Sequence, residues 1–372
     1  MSAPTRVAIV HEWLTSMRGG ERCVEALCEI FPEAALFTLL HNPGSVSPAI
    51  ERMPITTSFV QRLPGAARGY RRYLPVFPAA IRQFRLDEYD CVISSSHCVA
   101  KGVASPPHAL HVCYCYTPMR YVWDQYPEYF GPGKADLPTR AVMALLRRPL
   151  QRWDVRTARN PHHFIAISEN VRERIRRIYG RPADVIYPPV ETARFAVSER
   201  DDGYYLMVSA LVPYKRVDLA VQAASRAGER LVIVGDGPEI HRLRALAGPT
   251  VEFVGWRADA EIRDYYAACR GVLFPGEEDF GIVPLEAIAC GKPVIAYARG
   301  GALETVVERE GLRTGILVHE QSVEALIGGM KRCRETHFDG HAMRRFALRF
   351  DRDVYKKEMR EFIERRWEEF HL

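Results

Sequence analysis

The sequence of 372 residues lacks the marks of several protein classes. Its nine cysteines form no CxxC pair. Cys113 and Cys115 stand close together, but no His or Cys cluster matches them. Neither a disulfide framework nor a zinc module is expected, and a reducing cytoplasm is the simplest setting. No apolar run approaches the roughly 18 residues that a membrane-spanning helix needs. The opening MSAPTRVAIVHEW has no long apolar run of the signal-peptide kind. Short-period repeats are missing. With 47% hydrophobic and 26% charged residues, the chain is a globular protein with real cores. One internal stretch, Arg62 to Arg85, contains no acidic residue.

The length fits two domains of roughly 150–200 residues each. A formal net charge of +5 favours anionic partners only mildly. RVAIVHEW reads as a short buried strand, and MRGGERCVEALCEIF as a turn at Gly19-Gly20 followed by a helix with Val24, Leu27, Cys28 and Phe31 on one face. The rhythm returns in YDCVISSSHCVA, in ALHVCYCYTPM, and in HHFIAISENVRERIRRIYG, where Ser168 or Asn170 would cap a helix. Pro188-Pro189 breaks it. A second series follows. YYLMVSALVPYKRVDLAVQAA is strand, loop and helix. RLVIVGDGPEIHRLRAL is strand, turn and helix, with Pro238 in the first helical turn. VEFVG, GVLFP, PVIAY and GILV supply further strands. Strands alternating with helices predict parallel sheets covered on both faces. From Asp351 the chain reads as a charged amphipathic helix with Val354, Met359, Phe362 and Trp367 on its apolar stripe.

One segment stands out, LFPGEEDFGIVPLEAIACGKPVIAY from Leu273 to Tyr297. The chain must turn there at the carboxyl end of a parallel strand, where open α/β folds bind ligands. Gly281 allows close backbone approach, and Pro284 suits a first helical position, so a helix is expected from about Val283. The N–H groups of Gly281, Ile282 and Val283 and the helix dipole would favour an anion such as a diphosphate. Glu286, in the first helical turn, would repel phosphate; accepting hydrogen bonds from sugar hydroxyls suits it, and Glu278 would serve a second sugar. On the residues alone, an equal alternative is that Glu286 stabilises its own helix and Glu278 is a solvated loop residue.

EEDFGIVPLEAIACGKPVIA resembles the E-x7-E signature of retaining GT-B glycosyltransferases, specifically glycosyltransferase family 4. The resemblance implies two Rossmann-like domains with parallel sheets facing a central cleft: an acceptor-binding domain over 1–188, a nucleotide-sugar-binding domain over 189–350, and a helix, 351–372, crossing back to the first. It implies Glu286 for the nucleotide ribose, and Glu278 with Gly281, Ile282 and Val283 for the donor sugar and diphosphate. VSALVPYKRVDLAV resembles the family loop carrying an Arg and a Lys against the diphosphate. Lys215 matches the Lys. Ala210 occupies the usual Arg position, and Arg216 is the neighbouring cation, with a side chain expected to point elsewhere. Gly19 and Gly20 match the family's first glycine loop, and Gly235, in the turn of RLVIVGDGPEIH, joins the donor-binding set. HVCYCYTPMRYVWDQYPEYF resembles members that act in O-antigen and exopolysaccharide assembly with GDP-mannose. Those commonly read Y-C-H-T-P-M-R-Y; here Tyr116 stands at the histidine, able to hydrogen-bond but not to carry positive charge near neutral pH. Arg120, Trp123 and His97 are acceptor-side candidates. Tyr121 and Trp123 read equally well as core aromatics.

The implied reaction passes a sugar, mannose from GDP-mannose, to a glycan acceptor with retention, with Lys215, Glu278 and Tyr116 nearest the chemistry. No DxD-like pair stands in a suitable place, so no metal and no cofactor beyond the nucleotide-sugar substrate is expected. Alternatives are a UDP-sugar donor, a small soluble acceptor, nucleotide-sugar 2-epimerisation and, outside enzymes, a basic nucleic-acid-binding protein. No nucleic-acid module is recognisable, and Glu277, Glu278 and Asp279 oppose such binding. Arginines alternate with Tyr70, Tyr73, Phe77 and Phe84 between Arg62 and Arg85, and RAVMALLRRPLQRW adds to them. This suggests an anionic membrane surface and a lipid-linked acceptor; a basic surface over core aromatics is the plainer alternative.

Overall fold

The computed structural model describes residues 4–131 and 136–372; residues 1–3, which open the expected first domain, lie outside the described residues. The chain divides into two compact units. One comprises Met1–Pro189 and Asp353–Leu372, the other Val190–Arg352.

The first unit holds a seven-stranded sheet with parallel pairing throughout. Its strands are β1 (Val7–His11), β2 (Ala35–Thr38), β3 (Ile55–Thr57), β4 (Cys91–Ser96), β5 (Leu110–Cys115), β6 (His163–Ala166) and β7 (Asp184–Val185). Their order is β3-β2-β1-β4-β5-β6-β7. β1, β4 and β5 are buried along their whole length. Strands covered on both faces read as continuous rather than alternating apolar runs. The sequence marked β1, β4, β5 and β6; it gave no sign of β2, β3 or β7, which are short and lie toward the sheet edges.

The second unit holds β8 (Tyr204–Val208), β9 (Arg230–Val234), β10 (Val251–Gly255), β11 (Gly271–Phe274), β12 (Val294–Tyr297), the small hairpin β13 (Glu308–Arg309) and β14 (Leu312–Arg313), and β15 (Gly315–Val318). The main sheet runs β10-β9-β8-β11-β12-β15, again all parallel. In both sheets the order reverses beside the first strand, between β1 and β4 and between β8 and β11. Such a switch point opens a crevice at the carboxyl ends of the two central strands.

Several helix boundaries differ from expectation. Gly19 and Gly20 are not the turn: they are the first two residues of the helix Gly19–Ile30, whose N-terminus is closed by the Glu21 carboxylate accepting from the Arg18 N–H at 3.0 Å. Pro238 precedes its helix, which starts at Ile240. The helix after Gly281 is Ile282–Ala289, so Pro284 is its third residue and Glu286 its fifth, just beyond the first turn. Ser168, not Asn170, caps Glu169–Tyr179 by accepting from the Val171 N–H. The final helix, Arg352–Phe370, buries Tyr355, Met359, Phe362 and Ile363, a stripe rotated from the expected one. Tyr355 meets Tyr114 of β5 edge to face, and burial of each such side chain stabilises the first unit by about 1.5–3 kcal/mol.

Candidate functional site

In the second unit, the loops after β8 and β11 meet. The turn Pro213–Lys215 follows β8, and the 275–281 loop follows β11. A Cβ on Gly276 would lie 3.0 Å from the Lys215 Cα and the Tyr214 carbonyl, so the two loops touch backbone to backbone. Their side chains then close the contact: the Lys215 Nζ lies 2.5 Å from Glu278 Oε1. On its other side the Glu278 loop is pinned by Gly300 and Gly301. The Gly301 N–H donates to the Glu278 carbonyl at 2.8 Å, and a Cβ on Gly301 would fall 2.2 Å from the Phe280 backbone.

Gly281 has φ 114°, a conformation that side chains other than hydrogen resist. It delivers the chain into Ile282–Ala289, whose first N–H groups have no partner within the helix. One turn on, the Glu286 carboxylate accepts a hydrogen bond from the Tyr266 hydroxyl at 2.8 Å. Burial, and then the neighbouring Glu286 charge, push the Tyr266 phenol well above its ordinary value, so it stays a neutral donor that fixes the carboxylate's direction. Gly235 sits with φ 139° where a Cβ would strike the Ser209 carbonyl; it lets the loops after β8 and β9 lie against each other. Arg216, the only described residue other than glycine with positive φ, turns its guanidinium to Asp218 and to Gln321 Oε1, at 3.2 and 2.8 Å. Ala210 is exposed.

In the first unit the polar groups lie at the other switch point. Glu12 directly follows β1 and is buried. Its Oε1 accepts from the Ser96 hydroxyl and from the N–H groups of His97, Cys98 and Ala100, at 2.8–3.1 Å. Its Oε2 lies 3.2 Å from His97 Nδ1. Burial alone would raise this carboxyl, but the His97 imidazole, the His11 imidazole and the backbone donors outweigh it and hold it at about 2. His97 keeps a partly exposed ring, with Trp13 edge-on at 4.7 Å.

Beside it runs a directional chain of hydrogen bonds. The Gly20 carbonyl can only accept, so the Tyr116 hydroxyl donates to it, at 3.0 Å. Ser95 Oγ then donates to Tyr116, at 2.8 Å, and His11 Nδ1 donates to Ser95, at 3.0 Å. His11 Nε2 faces Glu21 Oε1 at 3.8 Å. Burial opposes charging of His11, but Glu21 and Glu12 overcome it and raise its pKa.

The structure therefore gathers Lys215, Glu278, Gly281, Ile282, Val283 and Glu286 on one edge of one sheet, and Gly19, Gly20, His97 and Tyr116 on one edge of the other. Tyr116 is buried with its hydroxyl taken by Gly20 and Ser95. Trp123 turns its indole N–H inward to Asp154 Oδ2, at 2.7 Å, and Tyr121 is buried, so these two rings follow the core reading. Arg120 is half-buried. The sequence reading missed Glu12, His11, Ser95, Tyr266, Gly276 and Gly301. A signal existed for the first two: a His-Glu pair directly after a buried apolar run. Among the described residues, no three His, Cys, Asp or Glu side chains are grouped to hold a metal ion, and no helix is long and apolar enough to cross a membrane. All nine cysteines are buried, and none forms a disulfide.

Two families match end to end: Glycosyltransferase Family 4 over residues 17–194 and Glycosyl transferases group 1 over 190–344. Together the two glycosyltransferase models cover residues 17–344, and the fold is that of the GT-B glycosyltransferases. Solved structures agree on the fold. Anabaena Alr3699/HepE in complex with UDP matches this chain with a TM-score of 0.71 at 19% identity, over 96% of this chain and 99% of that one. Sucrose-phosphate synthase of Thermosynechococcus elongatus matches with a TM-score of 0.72 at 18% identity, over 96% and 98%. Among curated relatives, a GDP-mannose-dependent alpha-mannosyltransferase of Mycobacterium tuberculosis is 38% identical over 141 residues, 35% of this chain and 36% of that protein. A GDP-mannose-dependent alpha-(1-6)-phosphatidylinositol monomannoside mannosyltransferase of the same organism is 35% identical over 190 residues, 42% and 49%. The matched regions thus span half or less of these two relatives.

Proposed function

We propose that the chain is a retaining glycosyltransferase that moves mannose from GDP-mannose to a glycan acceptor, without a metal. The observation that carries this reading is the Lys215–Glu278 contact at 2.5 Å, at the switch point of the second sheet and on the same loop-helix unit as Glu286. An ammonium, a helix N-terminus and a directed carboxylate on one edge suit a nucleoside diphosphate sugar: the cation and N–H groups for the phosphates, the carboxylate for a pair of ribose hydroxyls. A diphosphate and Glu278 would compete for the same ammonium. On exchange, Glu278 would be released toward the sugar hydroxyls.

The leaving group is already a nucleotide diphosphate, so the paired carboxylates of glycosidases are not required. The departing phosphate oxygen would take the acceptor hydroxyl proton on the same face, while the sugar passes through an oxocarbenium-like state. Lys215 and the helix amides would offset the growing phosphate charge, an effect worth roughly 10²–10³ in rate per contact. The relatives named for GDP-mannose support the base and the sugar; a UDP-sugar is the runner-up.

We place the acceptor on a lipid at an anionic membrane face. Between Arg62 and Arg85 the arginines are exposed, while Tyr70, Phe77 and Phe84 are buried. The helix Leu137–Thr157 exposes Leu137, Val142 and Leu145 beside its arginines. The aromatics thus serve the core, and the arginines with the exposed aliphatics would meet the headgroups. Flotation with anionic vesicles at low salt tests this; absence of binding rejects it. For the transfer itself, the protein is incubated with a panel of nucleotide sugars and slow donor hydrolysis is measured. Turnover of GDP-mannose above all others is expected. Stabilisation by oligonucleotides, and not by GDP or UDP, would sink the enzyme reading.

A further inference from the structure

Away from its own switch point, the first unit has a pocket of about 340 Å3 lined by Arg82, Gly102, Ala104, Trp153, Arg156, Thr157 and Asn160. Asn160, just before β6, donates to the Gly102 and Val103 carbonyls at 3.3 and 3.0 Å. The pocket therefore lies toward the amino ends of β5 and β6, whereas Glu12 and His97 sit at the carboxyl ends of β1 and β4. It is also where the two acid-free basic stretches meet, Arg82 from one and Trp153, at the end of the other.

Its electrostatics are one-sided. The guanidinium groups of Arg82 and Arg156 are exposed, and neither has an ion-pair or hydrogen-bond partner among the described residues. The adjacent carboxylate, Asp154, does not offset them. It is buried, 2.7 Å from the Lys101 ammonium, and also accepts from Trp123 and Tyr179. At the pocket wall, the Trp153 indole lies on the backbone at Gly102, where a Cβ would come within 2.6 Å of the ring. Trp153 is only 8% exposed, and its Nε1–H is buried without an acceptor. Buried donors normally find partners. Two uncompensated cations at the rim of a cavity of ligand size, with no accessible carboxylate beside them among the described residues, call for an anion.

We propose that this pocket binds a phosphate-bearing ligand, a phosphomonoester or the phosphodiester of a lipid headgroup, with Arg82 and Arg156 as its charge partners. The site does not rest on the reading of the donor site; its headgroup arm rests on the membrane reading above, in which Arg82 and Arg156 already face headgroups, and its soluble-phosphate arm does not.

The test is titration of the full chain with inorganic phosphate and glycerol 1-phosphate, and separately with phosphatidylglycerol vesicles against phosphatidylcholine vesicles. Intrinsic fluorescence is read, with Trp153→Phe identifying the reporter. Saturable quenching by the soluble phosphates assigns a free phosphoester. Quenching only by phosphatidylglycerol vesicles assigns a headgroup. In either case, Arg82→Gln with Arg156→Gln should weaken binding about tenfold or more, since hydrogen bonds to charged groups are the stronger kind. Both arginines are exposed, and an unchanged unfolding temperature would confirm that the double variant folds. Absence of saturable quenching by any of these probes, or equal affinity in the double variant, overturns the proposal.

Discussion

Both units place a carboxylate and a nitrogen base across the switch point of their sheet, but in opposite ways. In the second unit, Lys215 after β8 meets Glu278 after β11, at 2.5 Å and with both side chains about one-fifth exposed. In the first, Glu12 after β1 meets His97 after β4, at 3.2 Å, with the carboxylate fully buried. The first pair is reachable by a ligand that brings its own negative charge. The second is an internal fixture: Glu12 closes the 96–100 loop by taking its N–H groups, and His97 is the member left partly open. The same topology thus yields an exchangeable contact in one unit and a structural one in the other.

The largest expected effect breaks the structural pair. Glu12→Ala leaves the Ser96 hydroxyl, three backbone N–H groups and the His97 imidazole without their acceptor. Removing one partner of a buried charge network costs about 3–5 kcal/mol. Chemical unfolding should show that loss, and hydrogen exchange should localise it to β4 and the 97–102 loop. The same carboxylate gives an acid limb. Its folded pKa, about 2, lies below the usual value, so its stabilisation is present above the unfolded pKa and is lost as pH falls toward 2. His11 is shifted the other way. Its contribution is full below the ordinary imidazole value and is lost as pH rises through the higher folded one. Stability of the first unit should therefore fall on both sides of a mildly acidic maximum; a curve flat from pH 8 to 3 would remove both groups from the network.

Next comes the exchangeable pair. Lys215→Ala should cut turnover by roughly 10²–10³ while changing stability by less than about 1 kcal/mol, as a partly exposed ion pair predicts. Near-normal turnover would place the second-unit contact in the same structural class as Glu12–His97 and erase the contrast. A smaller effect is expected one turn further on. Tyr266→Phe leaves Glu286 without its orienting donor and should weaken GDP binding by about 1.5–3 kcal/mol, the range for hydrogen bonds to charged groups. Equal GDP affinity in Tyr266→Phe and Glu286→Ala would make orientation the whole of the Glu286 contribution; unchanged affinity in both rejects the ribose role.

The second unit was the more legible for a physical reason. Most of its switch point is one contiguous segment, Leu273–Tyr297, so glycine, proline and two glutamates fall within one quoted string, while Lys215, 63 positions before Glu278, entered only through the resemblance. The parallel strands were legible likewise, because burial on both faces writes them as apolar runs. The first unit's switch point joins Glu12 to residues some 85 positions away, and no local pattern announces such pairing. Backbone contacts were equally silent: Gly276 and Gly301 look like ordinary loop glycines until the chain laid against them is known. The apolar periodicity of the last helix pointed to the right element and the wrong rotation, since Tyr355 and Ile363 carry as much burial as the residues chosen.

The smallest expected effect concerns Tyr116, which fills the position where the resemblance expects histidine. Its hydroxyl donates to the Gly20 carbonyl and accepts from Ser95, so it ties β5 to the start of the helix Gly19–Ile30. Tyr116→Phe removes both hydrogen bonds and leaves the Ser95 hydroxyl without its acceptor, about 1–2 kcal/mol. If Tyr116 acts only as this tie, turnover should change less than threefold or so, in line with a loss of that size spread over folded and bound states. A loss comparable to that of Lys215→Ala would instead put the phenol at the sugar. Tyr116→His separates the two cases further. An imidazole is shorter than a phenol and would leave both Gly20 and Ser95 partly unpartnered, so it should be the less stable variant even if it restores the family residue. Were Tyr116→His more active and equally stable, the first-unit switch point would be a ligand-facing site like the second, and the asymmetry between the two units would lie in sequence drift rather than in burial.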